Sequence, residues 1–298
     1  MAVQILLIAG PTASGKSARA IEEALSRNGE IISVDSRQVY RDLDIGTEKI
    51  TPEEMRGVPH YLIDIRDPQE SYSAGDFVTD ATKLIEEITS RGKLPILVGG
   101  THFYFDALIK GLPAAVDTNN VLREELESVS TEELFTQIST ADPRRASELD
   151  PNNRRRLIRA LEITHALGTV PSRSASNNRY PQLVPIGTSC GYLTEWIVID
   201  PEREALRERI DARLISAFDR GLIDEVKRIQ EEVGDAKLNE FGLEYRVIGE
   251  FLRGDRTQES LLPTLSAKLW QYARRQKAWL RKLRDEVILA APSHPNKN

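Results

Sequence analysis

The chain has 298 residues, of which 40% are hydrophobic and 29% charged, enough for one large or two modest globular units with buried cores and too apolar for disorder throughout. A net charge of −6 excludes a uniformly basic coat, so a polyanionic partner has to be met by a local patch within a Debye length of about 8 Å. A single cysteine, Cys190, excludes an internal disulfide framework and a cysteine-based zinc cluster.

The first apolar, β-branched run, residues 5–9, reads as a buried strand, and it feeds directly into Gly10, Pro11, Thr12, Ala13, Ser14, Gly15, Lys16 and Ser17. A strand, this glycine loop and then a helix over 17–25 is the setting in which the phosphate-loop pattern has a mechanism. Backbone N–H groups converge on phosphate oxygens and the helix N-terminus adds partial positive charge. Lys16 neutralises the outer phosphate, and the Ser17 hydroxyl can ligate Mg²⁺. The next strand, 30–34, ends on Asp35, followed by Ser36, Arg37 and Gln38. At the rim of a parallel sheet where ligands bind, that carboxylate can serve as a base toward a nucleophile or as a strand-end cap.

A third strand is expected over 61–65, a helix over 75–89 and a fourth strand over 95–98. This last strand runs into Gly99-Gly100-Thr101, without the aspartate that switch and motor NTPases place there for Mg²⁺. The loop therefore points to a small-molecule kinase or to an enzyme that holds a diphosphate leaving group. Thr101 can cap the helix starting near His102 or take part in the site. From 112 to 191 strand signals give way to helical patterns at 121–129, 131–139 and 152–167, closed by a Ser/Asn/Pro-rich return over 168–191.

A fifth strand at 196–199 and a helix over 201–219 follow, with Arg209 and Arg213 one turn apart beside an apolar stripe; each needs an anion, either a diphosphate or an internal carboxylate. The last long helix carries Leu262, Leu265, Leu269, Tyr272, Gln276, Trp279 and Leu283 as its apolar stripe, with Lys268, Arg274, Arg275, Lys277, Arg281, Lys282 and Arg284 beside it and no acid between Leu261 and Arg284. Solvated faces usually mix signs, so a polyanion competes with plain solvation as the explanation. The fold class is α/β: a P-loop NTPase-like parallel sheet flanked by helices, formed by 1–111 and 192–298, with an all-helical insertion domain at 112–191.

The pieces GPTASGKS at 10–17, EIISVDSRQVYRDLDIGTEK at 30–49, VPHYLIDIRDP at 58–68, LPILVGGT at 94–101, RRRLIRALEI at 154–163 and QYARRQKAWLR at 271–281 make the sequence resemble the bacterial-type tRNA dimethylallyltransferases over nearly its whole length. The resemblance implies transfer of a dimethylallyl group from dimethylallyl diphosphate to N6 of the adenosine 3′ to the anticodon, with Mg²⁺ held partly by Ser17. It implies that Asp35 activates the adenine amine and that Thr101, Lys16 and Arg209 serve catalysis around a diphosphate held by residues 10–17. It further implies contacts to the tRNA anticodon arm from Asp35, Ser36, Arg37, Gln38, Thr101, Arg123, Arg155, Arg156, Arg159, Arg246, Arg274 and Arg275, by a monomer. The sequence departs from the pattern at 241–246, FGLEYR, and at His102, where a glycine is usual. No apolar run approaches membrane-spanning length, so cytoplasmic residence without a membrane partner is expected.

Overall fold

The computed structural model describes residues 3–112, 116, 119–171 and 193–290. The chain divides into two compact units, Met1–Lys110 with Gln182–Asn298, and Gly111–Pro181. In chain order the first unit contributes β1 (Gln4–Ala9), α1 (Lys16–Arg27), β2 (Gly29–Val34), α2 (Pro52–Met55), β3 (His60–Tyr61), α3 (Ala74–Ser90), β4 (Leu94–Gly99) and α4 (His102–Lys110). The second holds α5 (Asn120–Ser128), α6 (Thr131–Ala141), α7 (Pro143–Ser147) and α8 (Arg154–Leu167). The first unit resumes with β5 (Leu193–Val198), α9 (Arg203–Asp219), α10 (Leu222–Leu238), α11 (Leu243–Leu252) and α12 (Leu261–Ala290).

The five strands pair in parallel in the order β3-β2-β4-β1-β5. The continuous apolar runs of β1, β2 and β4 follow from burial on both faces. Leu6, Ile8, Ile31, Ile96 and Val98 pack with Ala20, Ile21 and Ala24 of α1, while α3 buries Phe77, Val78, Ala81, Ile85 and Ile88. Helix α3 starts cleanly because Ser73 and Asp76 form a reciprocal capping box. Register then fixes the rim. Val34 and Ala9 both align with Gly99, so β4 ends between the two strands that lead into Asp35 and into the glycine loop.

Two strand expectations are corrected. The apolar run at 61–65 gives only the two-residue β3, because Leu62 and Asp64 adopt φ of 62° and 55°, which turns the chain off the sheet. Ile65 donates instead to the carbonyl of Val39 at 2.8 Å. The last strand begins at Leu193 rather than 196. As an edge strand it tolerates Glu195, whose carboxylate pairs with Arg27 at 2.7 Å.

The C-terminal stripe is also shifted. Leu262 is 40% and Tyr272 36% exposed, whereas Leu261, Leu265, Leu269, Ala273, Gln276, Leu280 and Leu283 are buried. The small Ala273, invisible to a pattern of large apolar residues, carries the face through the middle of the helix. The helical unit has its own core of Leu126, Leu134, Ile138, Leu157 and Leu161 among others. Most of the return at 168–191, with Cys190, lies outside the described residues.

Candidate active site

The glycine loop is built to receive an anion. Gly15 caps α1 at φ 86° without a side-chain bond, and Ala13 also has a left-handed φ of 59°. Ser14 N–H closes the turn on the Pro11 carbonyl at 3.3 Å. Among the described residues the N–H groups of Ala13, Gly15, Lys16 and Ser17 have no backbone or side-chain acceptor, which is the arrangement of an anion-binding nest at a helix N-terminus. Ser17 is exposed at the same place. The Lys16 ammonium donates to the Pro11 carbonyl at 3.3 Å. Burial lowers its pKa to about 8, with the Asp35 carboxylate opposing the shift and the Arg213 guanidinium adding to it.

Arg213 is the arginine that α9 brings to the loop. Its Nη1 donates to the Thr12 hydroxyl at 2.6 Å, and its Nη2 lies 3.7 Å from Glu244 of α11. Burial pushes the Glu244 carboxyl up, and Arg213 opposes that shift. Arg209, one turn earlier, is exposed. Of the two anions expected beside such an arginine, an internal carboxylate is present at Arg213, whose other nitrogen reaches the glycine loop at Thr12.

Asp35 does the capping work anticipated for it. One oxygen, Oδ1, accepts from the N–H groups of Arg37 at 2.8 Å and Gln38 at 3.3 Å, a turn geometry natural to Asp. Thr101 Oγ1 accepts from Ser36 N–H at 3.2 Å, tying the end of β4 to the residue after Asp35. Gln38 turns inward: its carboxamide accepts from Ser33 and donates to the carbonyls of Thr47 and Glu48, all at 3.1 Å.

The glycines before Thr101 are sterically required. A Cβ on Gly99 would sit 2.0 Å from the Val34 carbonyl oxygen, and one on Gly100 would meet the Gln276 amide nitrogen at 2.8 Å. An aspartate at Gly99 would clash with the Val34 backbone, and one at Gly100 would displace the Gln276 carboxamide. His102, next in line, stacks on Trp279 with ring centroids 4.2 Å apart and planes 5° from parallel. Its burial lowers its pKa to about 4, so it is neutral near pH 7.

Sequence reasoning missed Glu225. This buried carboxylate on α10 accepts from the N–H groups of Asp44, Ile45 and Gly46 at 2.7–3.0 Å and from the Tyr245 hydroxyl at 2.8 Å. It pins the 44–46 segment, and Gly46 leaves the space that the Tyr245 ring fills. The segment 241–246 is thereby part of the scaffold rather than a free loop: Phe241 and Tyr245 are buried and meet edge-to-face with centroids 5.9 Å apart. Arg246 is exposed beside them.

In the helical unit the predicted RNA-facing arginines divide. Arg155 and Arg156 are exposed. Arg123 and Arg159 instead converge on Glu162 at 2.8 and 3.2 Å, a carboxylate whose side chain is 1% exposed. On α12, Arg274 and Arg275 are exposed. Lys277 is not available in the same way, since it pairs with Asp200 at 2.6 Å and donates to the Pro201 carbonyl.

The family model described as IPP transferase matches residues 38–283. A tRNA dimethylallyltransferase of Anoxybacillus flavithermus is 40% identical over 283 residues, covering 94% of this chain and 88% of that protein. The solved full-length tRNA isopentenylpyrophosphate transferase from Bacillus halodurans superposes with a TM-score of 0.68 at 39% identity, over 94% of this chain and 87% of its own. A eukaryotic dimethylallyltransferase solved acting on tRNA gives a TM-score of 0.76 at 30% identity, over 93% of this chain and 69% of its own.

Proposed function

Because the chain belongs to the IPP transferase family, we propose that it transfers a dimethylallyl group from dimethylallyl diphosphate to N6 of the adenosine 3′ to the anticodon in tRNA. The observation that carries the site assignment is the rim itself. Lys16 and Arg213 flank an open nest of amides, and Asp35 with Thr101 stands at the neighbouring strand ends.

The chemistry needs two things: charge stabilisation where the diphosphate departs and a base where the amine attacks. The amides of Ala13 and residues 15–17, with Lys16, Arg213 and the Thr12 hydroxyl, take the diphosphate. Asp35 uses Oδ1 to hold its own turn, leaving the other oxygen to accept from the adenine amine. Thr101 keeps the backbone beside Asp35 in place through Ser36. Such an adenine has to be unstacked and extruded to reach the site, and the exposed Arg155, Arg156, Arg246, Arg274 and Arg275 supply phosphate contacts for the anticodon arm. Arg123 and Arg159, also assigned to tRNA by the resemblance, are oriented by Glu162.

Mg²⁺ fits this site as an ion shared with the diphosphate. Ser17 exposes a hydroxyl at the nest, while the described residues contain no cluster of three or more His, Cys, Asp or Glu to cage a metal. When bound there it neutralises charge growing on the leaving group.

The test incubates the protein with dimethylallyl diphosphate, Mg²⁺ and unmodified tRNA, and assays prenylated adenosine. Asp35→Asn retains the capping oxygen and removes the base, so turnover should fall about 10²–10⁴-fold with tRNA affinity held. Absence of product from the unsubstituted protein with every tRNA bearing A at that position refutes the proposal, and ATP-dependent phosphoryl transfer instead establishes a kinase.

A further inference from the structure

Gln276 stands on α12, in the middle of the basic helix, yet is 3% exposed. Its Oε1 accepts from the Thr12 N–H at 2.9 Å, and its Nε2 donates to the Gly100 carbonyl at 3.0 Å. The two partners lie on different strand ends: Thr12 in the loop after β1, Gly100 in the turn after β4 that carries Thr101. One carboxamide thus spans the diphosphate side and the nucleophile side of the rim.

Its chemistry is specific. The Thr12 amide only donates and the Gly100 carbonyl only accepts, so the bridge needs an acceptor and a donor on one planar group of this reach. A side chain on Gly100 would have to displace the Gln276 amide, since its Cβ would meet Gln276 Nε2 at 2.8 Å and lie 3.8 Å from Lys16 Cε. The bridge is itself secured three residues later. Trp279 stacks on His102 and donates from Nε1 to Asp106 at 3.0 Å, so α12 is fastened to α4 as well as to the loop. Thr12 is held a second time, through its hydroxyl, by Arg213.

We propose that Gln276 is a positioning residue that fixes the spacing between the diphosphate loop and the Asp35–Thr101 rim, and through that spacing the line of attack on the allylic carbon. This rests on the transfer reaction proposed above. Neighbouring parallel strands are about 4.8 Å apart, so Asp35 and the loop, two strands apart, are separated by about 10 Å, a span that the Gln276 bridge and the Thr101–Ser36 hydrogen bond cross together. A small drift between them changes the angle of attack while leaving each substrate's own contacts intact, and a misplacement of about 1 Å can cost about 10²-fold in rate. The signature is a loss in kcat with little change in KM for either substrate.

Two variants test it. Gln276→Met keeps the length and apolar stem and removes both hydrogen bonds. Its kcat should fall about 10–100-fold, with KM for dimethylallyl diphosphate and for tRNA within about threefold and cooperative melting retained. Gln276→Glu is a chemical switch: the protonated carboxyl can accept from Thr12 and donate to Gly100, whereas the carboxylate confronts the Gly100 carbonyl. Burial and that carbonyl raise the introduced group above the ordinary Glu value of about 4.3, against the Lys16 ammonium beside Gly100 and the Thr12 N–H, which favour the carboxylate. Its kcat relative to wild type should therefore rise about 10-fold from pH 8.5 to 5.5, a trend Gln276→Met lacks. A Met variant with kcat within about twofold of wild type overturns the proposal, and so does a Glu-to-wild-type ratio that is flat with pH. Either result with an active wild-type enzyme leaves the reaction assignment standing, whereas an inactive wild type refutes that assignment instead.

Discussion

Arg213 donates to the Thr12 hydroxyl at 2.6 Å while Glu244 waits 3.7 Å from the same guanidinium, a loose pair beside a tight hydrogen bond. Such an arginine is held in place without being neutralised by a close carboxylate, and it adds to the field that lowers Lys16. Two cations held close together beside a nest of amides favour an anionic ligand there.

Arg213 and Arg209, one helical turn apart, therefore separate by experiment. Arg213→Met should lower kcat/KM for dimethylallyl diphosphate about 10²–10³-fold, in the range seen when one donor to a developing oxyanion is removed. Arg209→Met, at an exposed position, should stay within about threefold. Steady-state kinetics on the two variants decide the assignment, and the reverse order of effects would restore Arg209 to the role the sequence resemblance gave it.

Lys16 makes diphosphate binding depend on pH. Burial brings its folded pKa to about 8, so the ammonium is largely intact at pH 7, about half present at pH 8 and lost above that. A bound diphosphate favours the charged form, so binding near pH 8 draws in up to about half a proton. Calorimetry with inorganic diphosphate in buffers of different ionisation enthalpy should show that uptake, and Lys16→Met should abolish it. The same shift destabilises the empty fold below pH 8 and relents as pH rises toward the ordinary lysine value. Lys16→Met should accordingly melt about 2–5 °C higher at pH 7 while losing turnover.

The parts of this architecture legible in the sequence are those written in local pattern. β1, the glycine loop and α1 could be placed because apolar continuity, glycine spacing and helical period occur within one short stretch. Helices α5, α6 and α8 were readable from the same period, to within about two residues. What escaped depends on partners distant in the chain. Glu225 looks like any acid on a helix until residues 44–46 arrive 180 positions away. Gln276 looked like a polar interruption in an apolar stripe, yet it is buried because Thr12 and Gly100 satisfy it. The arginines near 155 looked alike, although buried Glu162 divides them.

His102 gives the fold an acid-sensitive contact. Its stack on Trp279 is buried and its pKa is lowered to about 4, mainly by burial, with Lys16 adding and Asp106 opposing. Between pH 6.5 and 4 the unfolded chain binds this proton and the folded chain does not. Stability is therefore full above 6.5 and is lost as pH falls through that window. His102→Phe keeps a flat ring against Trp279 and has nothing to protonate. Its Tm should fall less steeply than that of the wild type from pH 6.5 to 4, and parallel curves for the two proteins would show that the imidazole takes up its proton equally in the folded and unfolded chains.

Arg155 and Arg123 test how the helical unit divides its charge between RNA and itself. Arg155 is exposed on α8, so Arg155→Ala should weaken tRNA binding uniformly and reduce the slope of log K against log salt by about 1, the loss of one phosphate contact. The Arg123 guanidinium is already spent on Glu162, whose side chain is 1% exposed and keeps only Arg159 when Arg123 is removed. Arg123 is itself 42% exposed, so solvent screening reduces the loss to about 1–2 kcal/mol, read as a lower denaturant midpoint. Arg123→Ala combined with Glu162→Gln should recover part of that stability, because the buried carboxylate is gone. If Arg123→Ala lowers the salt slope as much as Arg155→Ala and leaves the denaturation midpoint unchanged, Arg123 leaves its carboxylate for the phosphate backbone when tRNA binds.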